Sequence, residues 1–216
     1  YGDLTIEPAT LTITTNSATR EYNGQALTAA GSISGFVTPT GGEEEKASFT
    51  VTGSQTTVGE SDNTYKLIFA DSEVGEDEEV PEGLTAISTD YTLSESIGKL
   101  KVTEDTTELI IASIGETWTY DGNAHTNYKY TVTYGEENYS VEIGEGETSV
   151  TATLSTGDTV TITPAESATI THVAETTVEN AFTAVVSHAS QYSNIDDDNY
   201  GDLTIEPATL TITTNS

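Results

Sequence analysis

The sequence predicts an all-β protein of two tandem antiparallel β-sandwiches arranged as segments of a rod. Three observations carry this. Apolar residues alternate with Thr and Glu at period two in short runs bounded by Gly, Asn, Asp and Pro, the pattern of half-buried strands. About one residue in five is Thr, and Val, Ile and Tyr are plentiful, which favours extended backbone over helix. Finally, YGDLTIEPATLTITTNS occurs twice, from Tyr1 to Ser17 and again, letter for letter, from Tyr200 to Ser216. An identity of that length marks a tandem repeat whose period is the 199-residue offset, 200 − 1.

The duplicated stretch is a joint. Leu4 with Ile6 and Leu11 with Ile13 alternate as two strands, and Glu7-Pro8-Ala9-Thr10 stands between them. Pro8 lacks a donor and holds Glu7 extended, so the ladder ends there. Residues 1–8 are then expected to close a preceding repeat, 9–104 to form a first domain, 105–207 a second, and 208–216 to open the next repeat. A joint of four residues is too short to act as a loose tether.

In the first domain ATLTITT, ISGFV, ASFTVTG, TYKLIFA, DYTLS and GKLKVT read as strands. Asn23-Gly24, Gly41-Gly42 and Asp62-Asn63 read as turns. The acidic run from Asp71 to Gly83 reads as a solvated loop and a candidate cation site. In the second domain ELIIAS, TNYKYTVTY, YSVEI, SVTATL, TVTIT, ATITHV, AFTAVVS and GDLTIE repeat the plan. Helical periodicity is absent, and the Thr and Val of ESATITHVAETTVENAF favour strand. The domains also align with each other: Glu21 to Thr28 matches Thr119 to Thr126 at an offset of 98, and GKLKV at Gly98 matches GDLTI at Gly201.

With Tyr22-Asn23-Gly24, Tyr120-Asp121-Gly122, Gly53 to Tyr65 and the closing GKLKV and GDLTIEP, the chain resembles the Ig-like repeats of the MBG type. These occur in tandem in large cell-surface proteins of Gram-positive bacteria. The resemblance covers nearly all of the first domain and both ends of the second. It implies an extracellular Ig-like β-sandwich serving as a stalk or adhesive array, with no catalytic residues to carry over.

Composition restricts partners. With 36 acidic against 6 basic residues and a formal charge of −30, the chain repels nucleic acid and anionic membranes and attracts cations. Absence of cysteine excludes disulfides, thiolate metal sites and cysteine nucleophiles.

Candidate chemistry is sparse. Asp196, Asp197 and Asp198 beside the joint form a candidate Ca²⁺ site, because hard cations take carboxylate oxygen. They do not fit an EF-hand loop, since the fifth position is Tyr200 and the twelfth is Pro207. His125, His172 and His188 show no ligand spacing and read as ordinary strand residues. GSISG at Gly31 resembles a nucleophile elbow but carries Ile33 where the serine belongs. Lys129 with Asn180 or Asn194, or a Thr with Gln191, are the conceivable partners for internal cross-links, and the spacing selects none. Trp118 and Tyr120 read as anchors of the second core or a cover for its end. The expectation is therefore a non-enzymatic spacer that contacts adjacent repeats of its own array. Its alternative is an adhesin module that binds host glycan or protein.

Overall fold

Alternation becomes burial in the first strand of the chain, where Leu11 and Ile13 are buried and Thr10 and Thr12 are exposed. The computed structural model describes residues 3–75 and 79–214. The chain divides into two compact units, Tyr1–Thr103 and Glu104–Ser216. Unit 1 holds β1 (Ala9–Thr15), β2 (Ala18–Glu21), β3 (Gly31–Ser34), β4 (Ser48–Val51), β5 (Gly59–Asp62), β6 (Tyr65–Ile68), β7 (Tyr91–Ser96) and β8 (Lys99–Thr103). Unit 2 holds β9 (Leu109–Ser113), β10 (Glu116–Thr119), β11 (Lys129–Tyr134), β12 (Glu137–Glu142) and β13 (Val150–Thr153). It continues with β14 (Thr159–Pro164), β15 (Val178–Glu179), β16 (Phe182–Val186), β17 (Ile195–Asn199) and β18 (Asp202–Glu206). The fold is an all-β sandwich, as the alternation predicts.

Among the described residues, four of the six sheets are mixed rather than purely antiparallel. Their orders are β3-β1-β7, β2-β8-β5 and β4-β6 in unit 1, and β12-β11-β9-β17, β10-β18-β15 and β13-β14-β16 in unit 2. β1 with β7, β2 with β8, β9 with β17 and β10 with β18 are parallel pairs. The cause is that the first and last stretches of each unit run side by side in one direction. Each stretch breaks once and passes from one sheet to another: β1 to β2 across Asn16-Ser17, and β7 to β8 across Ile97-Gly98. In unit 2 the breaks are Ile114-Gly115 and Tyr200-Gly201.

That crossing is held by the same parts twice. In unit 1 the Gly98 N–H donates to Thr15 Oγ1 (2.9 Å), and the fully buried Asn63 donates from Nδ2 to the carbonyls of Asn16 (3.0 Å) and Ala29 (3.2 Å). In unit 2 Gly201 donates to Ser113 Oγ (2.9 Å), and the fully buried Asn180 donates to the carbonyls of Ile114 (3.0 Å) and Asn127 (2.9 Å). The Asn16 and Ile114 carbonyls, freed by the strand break, thereby find donors. A Cβ on Gly98 would lie 2.3 Å from the Asn16 carbonyl carbon and one on Gly201 2.1 Å from the Gly115 nitrogen, so only glycine permits the approach. Asn63, expected in a turn, is instead this internal brace.

Threonine earns its abundance on the outer faces. Hydroxyls pair across strands at Thr52 with Thr64 (3.0 Å), Thr117 with Thr204 (2.6 Å) and Thr151 with Thr161 (3.1 Å). One core cluster of unit 1 gathers Leu11, Phe69, Ala86 and Tyr91, against which Ile33 and Phe36 pack. One core cluster of unit 2 gathers Ile170, Leu203 and Ile205 beneath Trp118.

Other departures have local causes. β5 reads GESD, poor strand material, yet pairs with β8 where Lys99 Nζ meets Asp62 (2.6 Å) and Glu60 (4.0 Å). ATITHV is not a strand: Ile170 makes an isolated bridge to His125, and Val173–Glu175 is a 3₁₀ turn. The Glu175 carboxylate accepts from the N–H groups of Thr171 and His172 and so competes with any ladder there.

Candidate interaction surfaces

The two copies of the duplicated stretch, identical in sequence, differ in environment. Leu203 in β18 is 0 % exposed, and its twin Leu4 is 101 % exposed in a segment without strand structure. Leu11 in β1 is 0 % exposed, and its twin Leu210 is 84 % exposed. Each half of the stretch is therefore packed once in this chain and bare once.

At the end of unit 1 where β1 begins, Glu7, Pro8 and Ala9 line a cleft of about 320 Å³ with Val37, Glu45 and Tyr91. Ile6, Thr89 and Asp90 complete it. The Tyr91 hydroxyl donates to Glu45 (2.5 Å) and accepts the Val37 N–H (3.0 Å). Burial and then the Glu45 carboxylate raise the Tyr91 pKa.

At the end of unit 2 where β18 stops, the Tyr120 N–H donates to the Glu206 carbonyl (2.8 Å). The Tyr120 ring is 40 % exposed and lies 6.1 Å from His172, next to the exposed Val173. Its counterpart Tyr22 donates to the Thr103 carbonyl (2.9 Å) in the same way and is buried. Two residues before Tyr120, Trp118 stacks on His125 at 4.9 Å. His125 bonds Asp121 (2.9 Å), whose carboxyl is held well below its ordinary pKa first by the Asn123 N–H and side chain and then by His125. His125 and His172 thus each pair with an aromatic ring rather than serving as plain strand residues.

Elsewhere in unit 2, two buried acids organise the loops. Asp158 accepts from the Tyr192 hydroxyl (2.6 Å) and Ser187 Oγ (3.3 Å), and faces His188 Nδ1 (2.7 Å). The serine hydroxyl addresses the acid and not the imidazole, so this is a loop clasp and not a nucleophile with its base. Asp105 accepts the Tyr134 hydroxyl and the Thr107 N–H (2.8 Å), while its backbone pairs with Gln191 and Ser193. Burial, followed by Asp105, pushes the Tyr134 pKa far up. Residues 104–107 are thereby built into unit 2.

The predicted site residues fall as follows. Asp196, Asp197 and Asp198 are consecutive in strand β17, with a bulge between Asp196 and Asn199. Among the described residues no group of three His, Asp or Glu side chains is placed to hold a metal ion. Of the acidic loop, Glu76, Asp77 and Glu78 lie outside the described residues. Its first residue, Asp71, accepts from the N–H and Oγ of Ser88 (2.9 and 2.7 Å). Lys129 is exposed while Asn180 is buried with its amide committed to two carbonyls, an arrangement of a brace and not of a cross-link. Gln191 is buried in the 3₁₀ turn Ala189–Gln191. The buried Asn pair escaped sequence reasoning, although Asp62-Asn63-Thr64-Tyr65 against Glu179-Asn180-Ala181-Phe182 carries the signal: acid, Asn, small residue, aromatic. No family model, curated protein or solved structure matches the chain.

Proposed function

We propose that this chain is one period of a tandem extracellular stalk of a bacterial surface protein, an Ig-like repeat of the MBG type whose work is extension and spacing without catalysis. One observation carries the reading: in each unit the first and last strand stretches run parallel. A unit so built receives the chain at one end and releases it at the other. From Ala9 to Glu21 the stretch spans thirteen residues, or roughly 40 Å at about 3.3 Å per residue. Tandem copies then lengthen a rod, and the charge of −30 keeps neighbouring rods apart. The adjacent repeats are its constant partners. The Tyr120 and His172 pair favours the alternative, an adhesin that stacks a host sugar on exposed aromatics.

Small-angle scattering from a tandem chain of two periods tests the stalk. The expected profile is elongated, with a maximum dimension nearly double that of one period, and a compact profile overturns the proposal. Retention of the single-period chain on a glycan array, abolished by Tyr120→Ser, would turn the assignment to the adhesin.

A further inference from the structure

We infer that successive periods are joined by a fixed interface: Tyr120, His172 and Val173 of one period close over the Val37 and Tyr91 cleft of the next. This deepens the stalk reading and rests on it. The duplicated stretch lets the junction be assembled from observed parts. Glu206 is the twin of Glu7, Pro207 of Pro8 and Ala208 of Ala9. The upstream environment of that Glu-Pro-Ala segment is seen at the end of unit 2, where the Glu206 carbonyl accepts the Tyr120 N–H at 2.8 Å. Its downstream environment is seen at the start of unit 1, where Glu7, Pro8 and Ala9 line the cleft with Val37, Glu45, Asp90 and Tyr91. In the array both environments attach to one segment. Tyr120 of the upstream period is then one hydrogen bond from the residue whose two successors form the wall of the downstream cleft.

The parts are complementary. Ile6 lines the cleft in this chain, but its twin Ile205 is buried in β18, so within an array the Ile6 position belongs to the upstream core and leaves the cleft. The upstream groups that take its place in this interface are apolar or aromatic: Tyr120, exposed where its counterpart Tyr22 is buried, with Val173 and His172. Opposite them stand Val37, itself exposed, and the Tyr91 ring. Glu45 and Asp90 line the cleft and give it carboxylates, which an imidazole such as that of His172 would complement. A Glu-Pro-Ala connection, with Pro8 fixing one dihedral, leaves the two faces little freedom to part.

The chain has no cysteine, which gives cross-linking a clean background. In the two-period chain, Tyr120→Cys in the upstream period is combined with Val37→Cys in the downstream period and treated with a short bismaleimide. As a comparison, Tyr120→Cys is combined with Lys101→Cys of the downstream period, in the strand at the opposite end of that unit. Circular dichroism melts first establish that both variants fold. Rapid intramolecular cross-linking of the 120 and 37 pair, at least tenfold faster than the 120 and 101 pair, is the expected result. Equal rates would mean a freely jointed connection and would overturn the interface, as would no reaction of either pair. If the scattering of the same chain is elongated while the cross-link fails, the interface falls and the stalk stands. If the scattering is compact, the stalk reading has failed first.

Discussion

Asn63 and Asn180 do the same work in the two units, each buried side chain donating to two carbonyls, one of them where a strand changes sheet. Replacing either by Ala strands both acceptors, and at about 1–3 kcal/mol for each unpaired group the cost is roughly 2–4 kcal/mol. Denaturant melts with hydrogen exchange should show Asn63→Ala loosening unit 1 and Asn180→Ala loosening unit 2. An unperturbed melt for either would remove the brace from the account. Tyrosines give a second expectation. Burial and the Glu95 carboxylate raise Tyr65 from 10.0 to about 12, and burial with Asp105 or Glu45 raises Tyr134 and Tyr91. A raised folded pKa means that the native state keeps protons which the unfolded chain releases. Their contribution is complete below pH 10 and declines as pH rises from there through the folded values. Stability should therefore fall steeply above pH 10, together with late tyrosinate absorbance, and Tyr134→Phe should flatten part of that fall.

The duplicated stretch offers an internal control on what makes a strand. DLTIE is strand β18 when β10 and β15 flank it, and carries no strand structure at residues 3–7. Leu203→Ala should cost about 2–4 kcal/mol, as for truncation of a buried Leu, whereas Leu4→Ala should leave the melting temperature unchanged. The comparison uses one residue type in one local sequence, so its difference reports tertiary packing alone. Removing residues 1–8 and 209–216 should likewise leave both units' melts nearly unchanged. A large loss would show that these bare segments complete a sheet.

A net charge of −30 across the chain should make salt stabilising, because counterions relieve repulsion that grows with compactness. NaCl should raise the melting temperature, and CaCl₂ at matched ionic strength should raise it no further, in keeping with the lack of a three-residue metal cluster among the described residues. A larger effect of Ca²⁺, reversed by chelator and abolished by Asp197→Asn, would restore Asp196 to Asp198 as a cation site.

Class and repeat were legible in the chain, because both are one-dimensional signals. Alternation such as Leu11-Thr12-Ile13 dictates which face is buried whatever the partner, and an identity of seventeen residues needs no structure to be seen. Partnership was not legible. That β1 lies beside β7 rather than only beside β3 depends on residues some eighty positions away. β5 and β17, rich in acids, become strands only because an edge of another strand awaits them. Asn63 looked like a turn residue because its local propensity is a turn's, and only the convergence of Asn16 and Ala29 around it makes it a brace. The same holds for Tyr120, whose exposure and place beside Glu206 emerge when the last strand returns to the start of its own unit. Local sequence sets which backbone is extended and which side chains seek burial; long-range pairing decides what they meet.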